Sequence, residues 1–326
     1  PIGASSPIQI QSAGRQDSWS QISAANNYTL GIDSSFRLWA WGDNSFGRLG
    51  DSTLDGKNSP TLIDSNQSWL SVSAGVNHAL ALTYTNSLYG WGLNSTGQLG
   101  DLTNVNKSSP TLISGTGTFQ KISAGNNASA GISMDNKLYV WGNNSTSLLG
   151  LLTDTVARSS PTQLGNNSWN QISIGGTQSI GTLSDRTLYA WGTNTNGVLG
   201  DNTTITKSSP VLITATALIN YSSPVQLGAL SWSKISSSLS HTLAVRSDGL
   251  LFGWGLNSSG QLGQLTDTLS RSSPVLIGIG SSWKFVAAGA AHSLAVRSDN
   301  LLYAWGLNNA GQLGIATDTI ARSSPV

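Results

Sequence analysis

The 326-residue chain contains no cysteine and no glutamate, and it has a single methionine. Without cysteine it can form neither disulfides nor thiolate metal sites. Aspartate supplies all 15 acidic residues. Because glutamate favours helices and aspartate favours turns, this composition argues against a helical protein. No run of 18 apolar residues occurs, so we expect no membrane span.

Charge is also scarce and balanced. Only 10% of the residues are charged, against roughly 25% in an ordinary soluble domain. The 16 basic and 15 acidic residues leave a formal net charge of +1. Such a balance gives no long-range attraction to nucleic acid or to anionic lipid, so we expect no nucleic-acid partner. The surface must be covered mainly by Asn, Ser, Thr and Gly.

The chain contains one sequence motif that occurs six times. It reads LYGWGLNSTGQLG at 88–100, LFGWGLNSSGQLG at 251–263 and LYAWGLNNAGQLG at 302–314. Around each Trp-Gly pair the same order recurs: a Ser-Pro segment, an aromatic residue, a short apolar alternation, the pair itself and a Gly-rich turn. Repetition with a period of about 50 residues is typical of β-propellers. The Trp-Gly pairs begin at Trp41, Trp91, Trp141, Trp191, Trp254 and Trp305.

Each unit reads as four short strands. TLI or VLI after Ser-Pro is one strand, and the period-two segment SWLSVSA is another. HALAL and SLYGWG flank the polar turn TYTN as the arms of a hairpin would. We therefore predict an all-β protein, a β-propeller of four-stranded antiparallel blades with six repeats in this chain. The alternative is a seven-bladed propeller with one blade incomplete.

We predict a single propeller domain over residues 1–326. An insertion at 211–223 accounts for a spacing of 63 residues between two of the Trp-Gly pairs. Segments 5–8 and 323–326 hold equivalent places in consecutive units, so in a six-bladed ring they would compete for one position. We expect either that one segment is displaced or that the chain continues into a seventh blade beyond Val326, as part of a larger chain or assembly. The approximate repeats are 5–57, 58–107, 108–158, 159–207, 222–271 and 272–322.

The recurring Trp and Gly residues are predicted to form the structural core of the repeat. Neighbouring sheets can bury the indole rings between them. A position that is Gly six times indicates a backbone angle or a close approach that a Cβ would forbid. The glycines are Gly42, Gly92, Gly142, Gly192, Gly255 and Gly306.

The segment HSLAVRSDNLLYAWGLNNAGQLG at 292–314 resembles the repeat of the regulator of chromosome condensation family. That repeat carries His-Ser/Thr-Leu-Ala, then an aromatic-Ala-Trp-Gly, then Asn-x-x-Gly-Gln-Leu-Gly. The resemblance extends over essentially the whole chain and implies a propeller of four-stranded blades, usually seven. This chain has six units, and it lacks an acidic loop like the β-wedge with which the family's exchange factor opens a small GTPase.

Catalytic, metal-binding and cofactor-binding residues are not expected. The three histidines, His78, His241 and His292, share one repeat position, which Tyr28, Ala128 and Gln178 fill in the other units. A side chain repeated in this way is better explained as a structural group that bonds the backbone of a neighbouring blade. No His-x-x-x-His or carboxylate–His cluster supports a metal.

A loop after each Gly-rich turn exists in two versions. Three units place an Asp directly after the turn (Asp51, Asp101, Asp201) and the other three carry Thr-Asp-Thr (Asp154, Asp267, Asp318). The first version has Lys before the Ser-Pro segment and the second has Arg. We interpret this covariation as a local Asp–Lys or Asp–Arg pair that closes the loop. The alternative is a ring of cations that docks an anionic partner, formed by Lys57, Lys107, Arg158, Lys207, Arg271 and Arg322.

A second candidate for partner binding lies in the insertion, at Leu218, Ile219, Asn220 and Tyr221. Irregularity on a regular scaffold is where specificity tends to lie. A longer loop produced by partial duplication is the simpler alternative.

The leading functional hypothesis is a non-enzymatic structural or binding propeller with a protein or carbohydrate partner. The uncharged polar surface and the Arg/Lys-Ser-Ser-Pro-Val spacer look most like repeat proteins of environmental bacteria and tailed-phage virions. That likeness predicts a virion fibre, tail or cell-surface adhesion module in an extracellular or virion-associated location. The alternative is an intracellular regulatory propeller that binds a small GTPase or chromatin. A third class, an enzyme with its site in a central channel, requires a unique set of acids and histidines, which no unit carries.

Overall fold

The computed structural model describes residues 18–64, 66–115, 117–152, 154–213, 231–264, 267–278, 282–314 and 320–326. These residues form antiparallel strands joined by turns and loops. In the described part of the chain, the one helical element is a three-residue 3-10 turn, Thr195–Gly197. The prediction of an all-β protein is confirmed. None of the described segments forms a helix with the length and apolar character needed to cross a membrane.

The strands are short, and three of the four in each unit fall where the sequence pattern predicts them. The strand predicted after Ser-Pro begins earlier, at the residue three places before the proline, and so includes Ser-Pro. They are β1 (Trp19–Ala24), β2 (Tyr28–Asp33), β3 (Leu38–Gly42), β4 (Lys57–Asp64), β5 (Trp69–Ala74), β6 (His78–Thr83), β7 (Leu88–Gly92), β8 (Lys107–Leu112), β9 (Phe119–Ala124), β10 (Ala128–Ser133), β11 (Leu138–Gly142), β12 (Arg158–Gln163), β13 (Trp169–Ile174), β14 (Gln178–Leu183), β15 (Leu188–Gly192), β16 (Lys207–Leu212), β17 (Trp232–Ser237), β18 (His241–Arg246), β19 (Leu251–Gly255), β20 (Arg271–Leu276), β21 (Trp283–Ala288), β22 (His292–Arg297) and β23 (Leu302–Gly306).

These strands make six sheets of the propeller-blade type. Five are four-stranded, in the orders β1-β2-β3-β4, β5-β6-β7-β8, β12-β11-β10-β9, β13-β14-β15-β16 and β17-β18-β19-β20, and the sixth is β21-β22-β23. In each sheet, consecutive strands pair with their neighbours along the chain. This order requires only hairpins and one longer loop per unit, which suits a repeat of about 50 residues.

The C-terminal segment lies beside β23. Gly306 and Arg322 form an antiparallel bridge, and Ala304 and Val326 exchange two backbone hydrogen bonds of 3.1 Å. Residues 322–326 thus hold the place that a Ser-Pro strand holds in the other sheets. Segment 5–8 lies outside the described residues, so the competition between the two segments stays a prediction.

The Ser-Pro strand pairs with the Trp-Gly strand that precedes it. In β7 and β8, Gly92 faces Lys107 and Tyr89 faces Leu112. The sequence pattern predicts units that begin with Ser-Pro, whereas each sheet ends with it. Repeat and sheet are therefore out of phase by one strand, because the loop after the Gly-rich turn returns the chain alongside the strand it has just left.

The chain divides into two compact units, whose described residues lie within 18–176 and 177–326. In the first unit, Leu30, Trp69 and Trp91 belong to one buried apolar cluster. In the second, Leu188 and Trp254 belong to another. That residues 1–326 form a single domain stays a prediction.

Candidate functional site

Three tryptophans of the Trp-Gly pairs, Trp91, Trp141 and Trp305, link their sheet to the turn of the preceding repeat through the indole N–H. Trp91 donates its indole N–H to the carbonyl oxygen of Arg48 at 2.9 Å, and Trp141 donates to that of Gln98 at 3.0 Å. Five of the six rings (Trp91, Trp141, Trp191, Trp254 and Trp305) have no exposed surface, whereas Trp41 is half-buried. Rings in this position hold neighbouring repeats together and offer no face to a ligand.

The glycine after each of these tryptophans has a backbone that a larger residue would strain. Its φ lies between +98° and +110° in all six units. A Cβ built on Gly142 would lie 2.6 Å from the carbonyl oxygen of Asn127. Both the angle and the close approach that the sequence predicted at this position are present.

Two of the histidines join neighbouring repeats through a hydroxyl group. The Nε2 atom of His78 lies 2.8 Å from Oγ of Ser129, and this hydroxyl donates to the carbonyl oxygen of Gln98 at 2.7 Å. Since the hydroxyl has one hydrogen, the imidazole must carry its proton on Nε2 and donate it. His241 repeats the arrangement with Ser293 at 2.8 Å. The sequence predicted that the histidine bonds the backbone of a neighbouring blade directly. For His78 this is wrong, because a serine hydroxyl lies between the ring and the backbone carbonyl.

These imidazoles are neutral and closed to substrates. Burial lowers the pKa of His78 to about 3. It does the same for His241, with a smaller contribution from the charge of His292. Burial also lowers the pKa of His292. At the same repeat position Tyr28 bonds the carbonyl oxygen of His78 at 2.6 Å, so the position serves structure whichever residue fills it.

In five of the six units, the loop after the Gly-rich turn is closed by an ion pair, as the covariation of its residues predicted. The Lys version has Lys57–Asp51 at 3.1 Å, Lys107–Asp101 at 3.5 Å and Lys207–Asp201 at 3.1 Å. The Arg version has Arg158–Asp154 and Arg271–Asp267, the latter at 2.6 Å. Asp318, the acid expected to pair with Arg322, lies outside the described residues.

The two charges of a Lys-version pair are not equally exposed. The side chain of Asp101 is 7% exposed and that of Lys107 is 29% exposed. Burial opposes ionisation of Asp101, but hydrogen bonds from Thr103 and Asn94 and the charge of Lys107 outweigh it and lower the pKa of the carboxyl. The carboxylate is therefore ionised beneath the loop surface, and the ammonium group faces the solvent.

Sequence reasoning missed the side chain that organises this loop. The amide nitrogen of Asn94 donates to Oδ1 of Asp101 at 2.9 Å and to the carbonyl oxygens of Thr103 at 3.0 Å and Val105 at 3.2 Å. Its oxygen accepts from the backbone N–H of Leu99 at 2.9 Å. The available sequence signal was repetition alone, since an Asn stands at this position in all six units, whereas the burial of all six is seen only in the structure: Asn44, Asn94, Asn144, Asn194, Asn257 and Asn308.

This asparagine also explains why an acidic loop is not a cation site. Its NH₂ group lies among the carboxylate and carbonyl oxygens that a Ca²⁺ ion would otherwise collect. Over the described ranges, no group of three or more His, Cys, Asp or Glu side chains is placed to hold a metal.

Among the residues predicted for partner binding, five of the cations are the first residues of β4, β8, β12, β16 and β20, where the loop ends and the Ser-Pro strand begins, and Arg322 holds the same place beside β23. Leu218, Ile219, Asn220 and Tyr221 lie outside the described residues.

Among curated proteins, the chain is similar to parts of much longer relatives. It is 41% identical over 107 residues to the ultraviolet-B receptor UVR8 of Arabidopsis thaliana. It is 38% identical over 109 residues to the protein RCC2 homolog of Danio rerio, and 45% identical over 87 residues to the probable E3 ubiquitin-protein ligase HERC3 of Homo sapiens. These stretches cover 31%, 31% and 26% of this chain and 24%, 22% and 8% of the relatives, so the chain spans less than a quarter of each.

Solved structures show the same fold over nearly the whole chain. Human WBSCR16 superposes with a TM-score of 0.85 at 19% identity, covering 99% of this chain and 84% of that one. Prp20p of Saccharomyces cerevisiae gives a TM-score of 0.80 at 19% identity, covering 94% of this chain and 76% of that one.

Two family models match the chain. The model for the RCC1-like domain matches residues 3–278, and the model for the regulator of chromosome condensation (RCC1) repeat matches residues 283–312. With most of its length matched and with sheets of the propeller-blade type, the chain belongs to the family of RCC1-like β-propellers.

Proposed function

We propose that the chain is a non-catalytic protein-binding propeller of the regulatory kind, with a small GTPase or a chromatin protein as its partner. The observation that carries the proposal is where the reactive side chains lie. His78 and His241 are neutral and fully buried, and Asp51, Asp101 and Asp201 are paired with lysine inside their loops. Groups used in this way hold the scaffold and leave its surface to binding.

The class of partner is suggested by relatives of the same fold. Prp20p of Saccharomyces cerevisiae binds Gsp1p and histones. A second structure has Kap60 bound to yeast RCC1 (Prp20). These partners are proteins, which favours a protein ligand for this chain over a small molecule. We extend this class to the present chain on the strength of family membership.

A binding measurement with purified components tests the proposal. The chain is immobilised and titrated with a panel of small GTPases in their GDP-bound and nucleotide-free forms, and with dimers of core histones. We expect saturable binding to at least one protein, with a Kd in the micromolar range or tighter. Unfolded chain serves as the control. If none of the proteins in the panel binds saturably, the proposal is contradicted.

A second candidate is an adhesion module on a virion fibre, a phage tail or a cell surface. The observation that favours it is the low charged fraction of 10%, which leaves a surface suited to hydrogen bonding with a carbohydrate. An extracellular or virion-associated location belongs to this candidate, and an intracellular one to the first. A glycan array separates them: selective glycan binding without binding to the protein panel would replace the first candidate by the second.

A further inference from the structure

The loops that follow the Gly-rich turns carry exposed apolar side chains at one repeat position. The residue two places before the loop cation is apolar in five units, and in the first unit the apolar residue is one place earlier. These side chains are 62–65% exposed, so burial within the chain does not account for their character. They are Leu54, Val105, Val156, Ile205, Leu269 and Ile320.

In the unit within 18–176, three such loops follow one another, and we call residues 51–57, 101–107, 151–152 and 154–158 the loop rim. Two further apolar side chains, Leu102 and Leu152, are 75% and 67% exposed there. Both have a positive φ, of 65° and 61°. At the place of Leu102 the fourth repeat has Asn202, which suits this backbone better than a leucine does. Neither burial nor backbone preference accounts for a leucine at this position, which points to a use for its side chain.

The loop rim is held in shape before any partner arrives. The backbone N–H of Ser52 donates to the carbonyl oxygen of Ser108 at 2.8 Å, and that of Leu102 donates to Ser159 at 2.8 Å, so each loop is fastened to the next repeat. Within the second loop, Asn94 fixes the backbone at Thr103 and Val105. A surface ordered in this way loses little conformational entropy on binding.

The charges of the second loop favour an acidic partner. Its carboxylate, Asp101, is 7% exposed, while Lys107 is 29% exposed, so solvent meets an ammonium group beside Leu102 and Val105. The first loop has a similar pair, Lys57 and Asp51, but Asp55 is exposed there as well. In the third loop Asp154 is 35% exposed and Arg158 is 26% exposed, so this loop adds the apolar side chain of Val156 without a net surface charge.

We infer that the loop rim, centred on Leu102, Val105 and Val156, is a docking surface for a protein segment that carries carboxylates between apolar side chains. Nucleic acid fits it less well, because its binding depends on several cations that neutralise successive phosphates, whereas the exposed side chains at the centre of this surface are mostly apolar. The inference rests on the proposed protein-binding function and names its surface and the chemistry of its partner.

The test is a selection from a library of random twelve-residue peptides displayed on phage. The library is panned on the whole chain and depleted on the variant Leu102→Asn/Val105→Ser/Val156→Ser. All three substitutions are on exposed side chains, and Leu102→Asn introduces the residue of the fourth repeat. A matched control, Leu112→Ser/Met134→Ser, removes two exposed apolar side chains outside the loop rim.

We expect enriched peptides in which Asp or Glu alternates with Leu, Ile, Val or Phe. A synthetic copy of the leading peptide should bind the triple variant at least tenfold more weakly than wild type and bind the control variant equally well. Enrichment of basic or wholly polar peptides, no enrichment after depletion, or equal binding to the triple variant would overturn the inference.

The same triple variant separates this inference from the proposed function. If it binds a protein of the GTPase and histone panel as tightly as wild type does, the docking surface is wrong and the proposed function stands. If no panel protein binds wild type but acidic apolar peptides bind the loop rim, the partner class is wrong and the surface stands.

Discussion

At the scale of the residue, a buried imidazole serves as a neutral hydrogen-bond donor that ties one repeat to the next. His78 and His241 reach Ser129 and Ser293 at 2.8 Å. Protonating such a ring would place a charge among apolar neighbours, which is why burial lowers the pKa of both to about 3. The fourth repeat has Gln178 at this position, and its amide donates to the carbonyl oxygen of Ser238 at 2.7 Å.

Replacing both residues by glutamine, His78→Gln/His241→Gln, should make the protein less sensitive to acid. An unfolded histidine binds its proton near pH 6.5, whereas the folded one does so only near pH 3. Between these values the unfolded state holds more protons, so the free energy of unfolding falls as the pH decreases. At pH 4.5 the loss relative to pH 7 is about 2–3 kcal/mol per histidine.

Urea unfolding at pH 7.0 and pH 4.5 measures the difference. Wild type should lose more stability than the double variant by about 5 kcal/mol over this interval. Met134→Gln, at an exposed site, is the control and should behave as wild type. Equal acid losses in wild type and the double variant would show that these rings are not buried in their neutral form.

A second residue-scale prediction concerns the glycine after the tryptophan. Gly142→Ala should destabilise the fold by about 3 kcal/mol or more, because it combines a φ of +98° with a Cβ 2.6 Å from a carbonyl oxygen. Gly165→Ala is the matched control. Its φ is +61° and no atom lies within 4 Å of the new Cβ, so we expect only about 1 kcal/mol. Similar losses of unfolding free energy for both variants would exclude close approach as the reason for the glycine.

At the scale of the element, the loop after the turn is a self-contained unit built around one asparagine. The sequence predicted its Asp–Lys and Asp–Arg pairs, because the position of the Asp, the length of the loop and the choice of Lys or Arg change together from unit to unit. It did not reveal the role of Asn94, since a polar side chain in a chain rich in Asn, Ser and Thr looks unremarkable until its burial is seen. Strand positions followed from period-two alternation. The strand that pairs with the Ser-Pro strand could not be predicted in this way, because pairing across a 14-residue loop such as 93–106 depends on tertiary geometry.

Removing this asparagine should loosen the loop. Asn94→Ala leaves the backbone groups of Leu99, Thr103 and Val105 without their side-chain partner, and we expect a loss of about 2–4 kcal/mol. Asn104→Ala, at an exposed position of the same loop, should change stability by less than about 0.5 kcal/mol. Thermal or urea unfolding of the two variants and of wild type measures these differences in stability. Equal stability of the two variants would mean that the ion pair alone shapes the loop.

At the scale of the whole molecule, charge balance is the property with the widest consequences. Sixteen basic and 15 acidic residues leave a net charge of +1. Many of the described acids are held next to a base only a few residues away in the chain, as in Arg246–Asp248 at 2.5 Å. The fields of two opposite charges this close largely cancel at a distance, and salt screens what remains beyond about 10 Å. The composition alone predicted this feature correctly, whereas the ligand could not be read from it, because uncharged polar surfaces suit many partners.

Naked duplex DNA should therefore not bind. We expect no saturable binding of a 30-base-pair duplex at 150 mM salt, with any Kd weaker than about 100 μM. Fluorescence anisotropy measures it, with a basic DNA-binding domain as the positive control. Micromolar binding that weakens steeply with salt would contradict the prediction. If histone dimers bind and the duplex does not, the chain contacts chromatin through the histones and not through the DNA.

The one-strand offset between repeat and sheet has a consequence for how the gene can change. Every complete sheet joins three strands from one unit to a fourth from the unit that follows, as β5, β6 and β7 are joined to β8. Unequal recombination between two copies of the Trp-Gly codons would add or delete a unit and still give each interior sheet its borrowed strand. The number of repeat units can then change over generations without leaving an unpaired strand edge in an interior sheet. Selection against an unpaired edge acts only on the terminal units.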